Sequence, residues 1–305
     1  MSLKITKGIE RTAAKVTIHG PAGVGKTTLA SQFPNPLFLD TENGSRMIDC
    51  HRVRCADWMT LKGALVNLAR DSMGYQTVVI DSGDWAEELL CLYLQSKDEK
   101  QRHPDDLPYG QGGVLIAKHF SAMLADCSML VERGINVVVI AHSVVKRVSP
   151  PDLEEAYDRY ELKMRPKVAP KLLEWSDAVL FANFKTRVVE GDDGKLRGRG
   201  GKERKLFCER SAAWDAKNRY GLPAEVPMSM ESLEPLFAGV TPPQPAKPGW
   251  LDRVRGSSTL EELMAIESEA DKATTDGDLS EAQRNKLGAE ISRRHDQLAS
   301  EEVPA

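Results

Sequence analysis

The segment Gly20-Pro21-Ala22-Gly23-Val24-Gly25-Lys26-Thr27 constrains this chain more than any other, because it works only where a strand turns directly into a helix. It has the spacing of a phosphate-binding loop, whose four fixed positions chance would supply in about 1% of chains this long. The flanks have the right character: Lys15-Val16-Thr17-Ile18-His19 is β-rich, and Thr28-Leu29-Ala30-Ser31-Gln32-Phe33 reads as a helix. In that setting backbone N–H groups from Gly20 to Thr28 converge on one anion. Lys26 reaches the β and γ phosphates, and the Thr27 hydroxyl is placed to ligate Mg²⁺. Glycine at 20, 23 and 25 permits close backbone approach and positive φ.

Downstream, short apolar runs alternate with helical stretches, the pattern of a mostly parallel sheet flanked by helices on both faces. The expected strands are Lys15–His19, Pro36–Asp40, Thr77–Asp81, Asn136–Ala141 and Asp177–Asn183. Several are continuous Val/Ile/Leu runs, as for strands buried on both faces. Trp58–Arg70, Trp85–Gln95 and Val114–Arg133 read as helices. Lys185–Glu190 and Lys205–Arg210 flank glycine-rich turns and predict an antiparallel hairpin with a basic tip.

A proline-rich stretch, Thr241 to Pro248, predicts a linker, dividing the chain into an α/β domain (1–240), a linker (241–250) and a helical tail (251–305). In the tail, Thr259 with Glu262 and Ser280 with Gln283 fit capping boxes, so a small helical hairpin is expected. Charge is asymmetric: Lys185–Arg219 carries eleven Lys/Arg against six Asp/Glu, and Leu251–Ala305 seven against thirteen. Five cysteines at scattered spacings suit a reducing compartment, and Cys50, His51 and Cys55 lack a second ligand pair at zinc-finger spacing. No apolar run is expected to span a membrane, and the N-terminus lacks a signal-peptide core, so a cytoplasmic protein is expected.

Other strand ends refine the site. Val78-Val79-Ile80-Asp81-Ser82 ends an apolar strand in a carboxylate suited to Mg²⁺. Leu37-Phe38-Leu39-Asp40-Thr41-Glu42 offers Glu42 as the base that activates water, which argues for hydrolysis. His142, ending Val137–Ala141, is placed to sense the γ-phosphate. No Asn-Lys-x-Asp motif marks a GTPase, so the expected cofactors are ATP and Mg²⁺.

In order and spacing, the phosphate loop, Asp40-Thr41-Glu42, Val79-Ile80-Asp81-Ser82 and the polar residue ending the next strand resemble the RecA-like recombinase core. Within that core, the chain resembles phage-encoded RecA-like ATPases that act as single-strand annealing proteins, which have a histidine where RecA has glutamine, as at His142. Ala216-Lys217-Asn218-Arg219-Tyr220-Gly221-Leu222-Pro223 is similar to the stretch whose two basic residues reach a neighbour's triphosphate. The likeness, over residues 12 to 235, implies a RecA-like P-loop fold. It implies Glu42 as catalytic carboxylate, Asp81 at Mg²⁺, His142 as sensor, and Lys217 with Arg219 acting in trans within a ring or filament.

It also implies DNA-contacting loops at Ser96–Gly113 and Val144–Lys171. Lys146, Arg147, Lys163, Arg165 and Lys167 in the second, with Arg197, Arg199 and Lys202 of the hairpin, are expected to track single-stranded DNA without reading its sequence. A single-stranded-DNA-binding protein is a partner by family analogy. The competing reading is an oligomeric P-loop ATPase that remodels or loads a protein partner, such as a replicative helicase, without annealing.

Overall fold

The computed structural model describes residues 7, 8, 10–149, 155–190, 196–238, 250–275 and 279–301. Two compact units divide at Gln244/Pro245.

In the first unit, β1 (Lys15–Gly20) enters the phosphate loop and α1 (Lys26–Ala30) leaves it. Then follow β2 (Pro36–Asp40), β3 (His51–Arg54), α2 (Trp58–Arg70), β4 (Thr77–Asp81), α3 (Gly83–Lys97), α4 (Gln111–Glu132) and β5 (Asn136–Val148). The chain continues through β6 (Tyr157–Leu162), α5 (Ala169–Trp175), β7 (Ala178–Glu190), β8 (Leu196–Phe207), β9 (Lys217–Asn218) and β10 (Glu225–Pro227). The sheet order is β10-β8-β7-β1-β5-β4-β2-β3, with β6 beside β5 and β9 beside β7. Pairing is parallel from β7 through β3 and antiparallel at β6, β8, β9 and β10.

The continuous apolar strands follow from burial on both faces. Val78 and Ile80 of β4 join a core with Leu61, Leu65, Leu90 and Phe120 of the helices, whereas Val79 faces the opposite core with Val24, Leu29 and Leu206. Each such side chain contributes roughly 1.5–3 kcal/mol. Asp57 starts α2 by accepting the Thr60 N–H at 2.8 Å.

Several expectations change. Helix α4, with the turn from Pro108, is by length and composition apolar enough to cross a membrane. Its apolarity has a different use here, since Ile116, Phe120, Met123, Leu124, Cys127 and Leu130 are buried in the domain core. The segment read as a loop, Val144–Lys171, instead holds the end of β5, all of β6 and the start of α5. The hairpin arms are not separate strands; β7 runs on from the central sheet and β8 contains Gly198–Gly201. The hairpin tip 191–195 and the linker from 241 lie outside the described residues.

Among its described residues the second unit holds three helices rather than two: α6 (Trp250–Gly256), α7 (Leu260–Thr275) and α8 (Glu281–Glu301). Val254, Leu263, Ile266, Leu287 and Ile291 form its core. Ser280 and Gln283 close the expected reciprocal cap, with N···O distances of 3.1 and 3.4 Å. At α7 the Thr259 hydroxyl accepts the Glu262 N–H, but the Glu262 carboxylate takes the N–H of Ser258.

Candidate nucleotide site

The phosphate loop is shaped by two steric demands. A Cβ on Gly20 would lie 2.1 Å from the Ala182 carbonyl oxygen of β7, so only glycine lets β1 and β7 approach there. Gly25, at the entry to α1, has φ 104°, a conformation other residues rarely adopt. Of the expected loop contacts, Val24 is buried in the core, while Pro21, Ala22, Gly23 and Thr28 reach the surface. The Lys26 side chain is buried and donates to the carbonyls of Gly20 and Pro21, both at 3.0 Å. Burial lowers its pKa, against the opposing pull of Asp81, Asp84 and Glu42.

Two strand ends and the first turn of α3 deliver the acids. Asp40, the last residue of β2, accepts the N–H groups of Asn43, Gly44 and Ser45 at 2.6, 3.2 and 3.2 Å, and so builds the turn that presents Glu42. Thr41 ties this turn to β4 by donating to the Ser82 carbonyl at 2.9 Å. Ser82 in turn donates to Glu42 Oε2 at 3.3 Å, and His142 Nδ1 lies 3.9 Å from the same oxygen. His142 is held mainly by Asp84, whose Oδ2 is 3.0 Å from Nδ1 and whose Oδ1 accepts the His142 N–H at 3.0 Å. That contact raises the His142 pKa above its ordinary value. Burial opposes ionisation of Asp84, but the His142 bonds outweigh it and its pKa is lowered.

Asp84 had no place in the sequence reading. Its signal was an acid in the first turn of the helix that follows Asp81-Ser82, where its carboxylate turns back to the end of the neighbouring strand.

Asp81 is the unusual group. Both carboxylate oxygens are buried without a hydrogen bond of ordinary geometry, although the Thr27 hydroxyl is near enough to favour ionisation. Burial dominates and raises its pKa from 3.8 to about 6, with Glu42 and Asp40 adding to the rise. A buried carboxylate without partners, beside a threonine hydroxyl, fits a hard divalent cation. Thr27 and Asp81 would hold Mg²⁺, which supplies charge neutralisation at the triphosphate. A carboxyl pKa raised by folding stabilises the fold below pH 3.8, and that contribution is lost as pH rises through about 6. Two pKa units amount to about 3 kcal/mol at neutral pH. Asp81→Asn is therefore expected to stabilise the nucleotide-free protein by about 1–3 kcal/mol, allowing for its own unpaired amide, while removing Mg²⁺-dependent thermal stabilisation by ATP. Melting curves with and without Mg²⁺ check this; a destabilised variant would show that the carboxylate has partners in the free protein.

A phosphate loop at a strand-to-helix turn, faced by acids on the neighbouring strand ends of a mostly parallel sheet, defines a P-loop nucleoside triphosphatase. A family model described as an AAA domain matches residues 12–220, more than half of the chain, and the chain belongs to that family. Membership implies nucleotide binding and ATPase activity, typically with Mg²⁺. No curated protein matches the chain.

The remaining basic residues separate. Lys217 donates to the carbonyls of Leu173, Glu174 and Ser176 at 3.3, 3.0 and 2.5 Å, closing the C-terminus of α5. Arg219 pairs with Asp177 at 2.6 Å, remains 62% exposed, and lines an open cavity of about 580 Å³ with Glu10, Arg11 and Tyr220. Both sit where β7 begins, so they do not join their own phosphate loop. Arg165, expected to contact DNA, is drawn into Asp105 at 2.9 Å, Glu88 at 3.1 Å and Glu87 at 3.6 Å, so three acids share its charge. Burial raises the Glu87 pKa to about 7 despite that partner. Lys146 pairs with Glu161 at 3.2 Å, and Lys167 donates to the Gly110 carbonyl at 3.4 Å. Arg147, Lys163 and Lys202 are exposed. Arg197 and Arg199 lie on β8 opposite Val189 and Arg187, their side chains outside the described residues.

Proposed function

We propose that this chain hydrolyses ATP as a RecA-like protein acting on single-stranded DNA, of the phage-encoded annealing class, in the bacterial cytoplasm. The observation that carries the hydrolytic part is the convergence of Glu42 from the turn after β2, Asp81 from the end of β4 and His142 from the middle of β5 on buried Lys26. Glu42 orients and deprotonates water, Asp81 and Thr27 hold Mg²⁺, and His142, tethered by Asp84, responds to the γ-phosphate. Lys217 and Arg219 serve a neighbouring subunit in a ring or filament. Exposed Arg147, Lys163 and Lys202 supply sequence-independent attraction to DNA, with Arg197 and Arg199 as further contacts. The acidic tail is left for a partner such as a single-stranded-DNA-binding protein.

Fluorescence-monitored pairing of complementary oligonucleotides tests this, together with ATPase rates with and without single-stranded DNA. Faster pairing is expected, and binding that falls about 50-fold between 50 and 200 mM salt if roughly four phosphates are neutralised. Salt-insensitive binding would overturn the electrostatic reading. Unaccelerated pairing with intact ATPase activity would favour a loader of a protein partner.

A further inference from the structure

Among the basic residues of β8 whose side chains are described, Lys202, Arg204 and Lys205, it is Arg204 that lies against the phosphate loop. Side chains alternate along a strand, and Leu206 and Cys208 of this stretch are buried in the core that also holds Val24 and Leu29. Arg204 shares their parity and lies beyond Leu206, where the sheet passes the phosphate loop. Lys205, of the other parity, is taken by Glu203 at 2.8 Å and Glu225 at 3.6 Å.

The placement is close. A Cβ built on Gly25 would lie 2.8 Å from Arg204 Nη1 and 3.6 Å from its Cζ, with Met228 Cε at 3.9 Å. The guanidinium also lies 5.8 Å from the Phe184 ring centre, and the Arg204 carbonyl accepts the Met228 N–H at 3.2 Å. Register fixes the arrangement: Phe184 pairs with Arg204, two residues beyond the Ala182 that Gly20 abuts. Among the described residues no carboxylate forms an ion pair with Arg204. A guanidinium is thus supported on one aromatic face and held against the residue where the loop becomes α1.

We propose that Arg204 is a nucleotide-binding residue that contacts the α or β phosphate of the bound nucleotide from its own subunit. The proposal rests on the nucleotide-binding reading of the loop and deepens it. N–H groups at the start of α1 face the inner phosphates, so charge added beside Gly25 acts on phosphates that ADP and ATP share. Its role differs from that of Lys26, which reaches the outer phosphates, and from that of Arg219, which lies at the far end of β1.

The test is titration calorimetry of the full chain with ADP and with AMP, on the parent protein and on Arg204→Gln and Arg204→Lys. Arg204→Gln keeps most of the stem over Phe184 and is expected to weaken ADP binding about tenfold to a hundredfold, the range for hydrogen bonds to charged groups. AMP affinity should fall as much as ADP affinity if the contact is to the α phosphate and stay unchanged if it is to the β phosphate, and Arg204→Lys should recover much of the loss. Affinity for an oligonucleotide, measured without nucleotide, should stay unchanged. Arg204→Gln binding ADP as tightly as the parent would overturn the proposal, as would weaker oligonucleotide binding with ADP affinity intact. A parent protein that binds no ADP would overturn the nucleotide reading itself. Melting curves without ligand separate misfolding from lost contacts; if Arg204→Gln melts early, Arg204→Met, which keeps the stem over Phe184 without the charge, takes its place, and ADP binding as tight as that of Arg204→Lys would overturn the proposal.

Discussion

Arg219→Ala is expected to lower ATP turnover by about 10³- to 10⁵-fold while leaving ATP affinity within about twofold of the parent. The size follows from the role proposed for this side chain: a cation set against a transferring phosphoryl group stabilises charge that exists only in the transition state. The geometry keeps Arg219 away from its own phosphate loop. The Arg219 N–H bonds the Asp177 carbonyl, and the Asp177 N–H bonds that of Lys15, at the start of β1. Five residues of strand separate Lys15 from Gly20, about 16 Å at 3.3 Å per residue. An arginine side chain does not bridge that, so the proposed role requires a phosphate on another copy of the chain. Mixing supplies the decisive control. Arg219→Ala and Lys26→Ala, each inactive alone, should regain activity when combined, since a mixed pair contains one intact composite site. Equal loss of binding and turnover, or no recovery on mixing, would sink the shared-site account.

Glu42→Gln is expected to reduce the rate of hydrolysis by about 10²- to 10⁴-fold with nucleotide affinity nearly intact, the signature of a lost general base. Single-turnover measurements separate this from slowed product release. Asp40, two residues earlier and also acidic, predicts the opposite pattern: it accepts three backbone N–H groups, so Asp40→Asn should loosen the turn and affect stability as well as rate. Full activity in Glu42→Gln would move the base elsewhere, with Asp84 the nearest alternative on geometry.

Much of the fold was legible because the strands in question are buried on both faces. Pro36–Asp40 and Thr77–Asp81 are observed with the boundaries their apolar runs predict, as is the helix Trp58–Arg70. β3 escaped notice because it is an edge strand with His51, Arg52 and Arg54 exposed, which leaves no apolar pattern to read. β6 sets two tyrosines among three charges, and it pairs with β5 and bridges once to Trp214, so its composition resembles that of a loop. The site divides in the same way. Phosphate-loop geometry is local, and the spacing of its glycines reports it directly. Asp84, Arg204 and the Arg165 cluster depend on which side chains meet across elements, Arg165 joining partners from α3 and from the turn at Asp105. Their one-dimensional pattern is that of ordinary surface charges.

β5 is thirteen residues long and does not end at the site. It passes His142 and continues, paired to β6, through exposed Lys146 and Arg147, the latter about 16 Å further along. A loop at that point would absorb displacement as a hinge does. A hydrogen-bonded ribbon transmits it instead, as a shaft carries rotation from one bearing to the next. The charged outer strand and the histidine thus belong to one continuous hydrogen-bonded element instead of being joined through a loop.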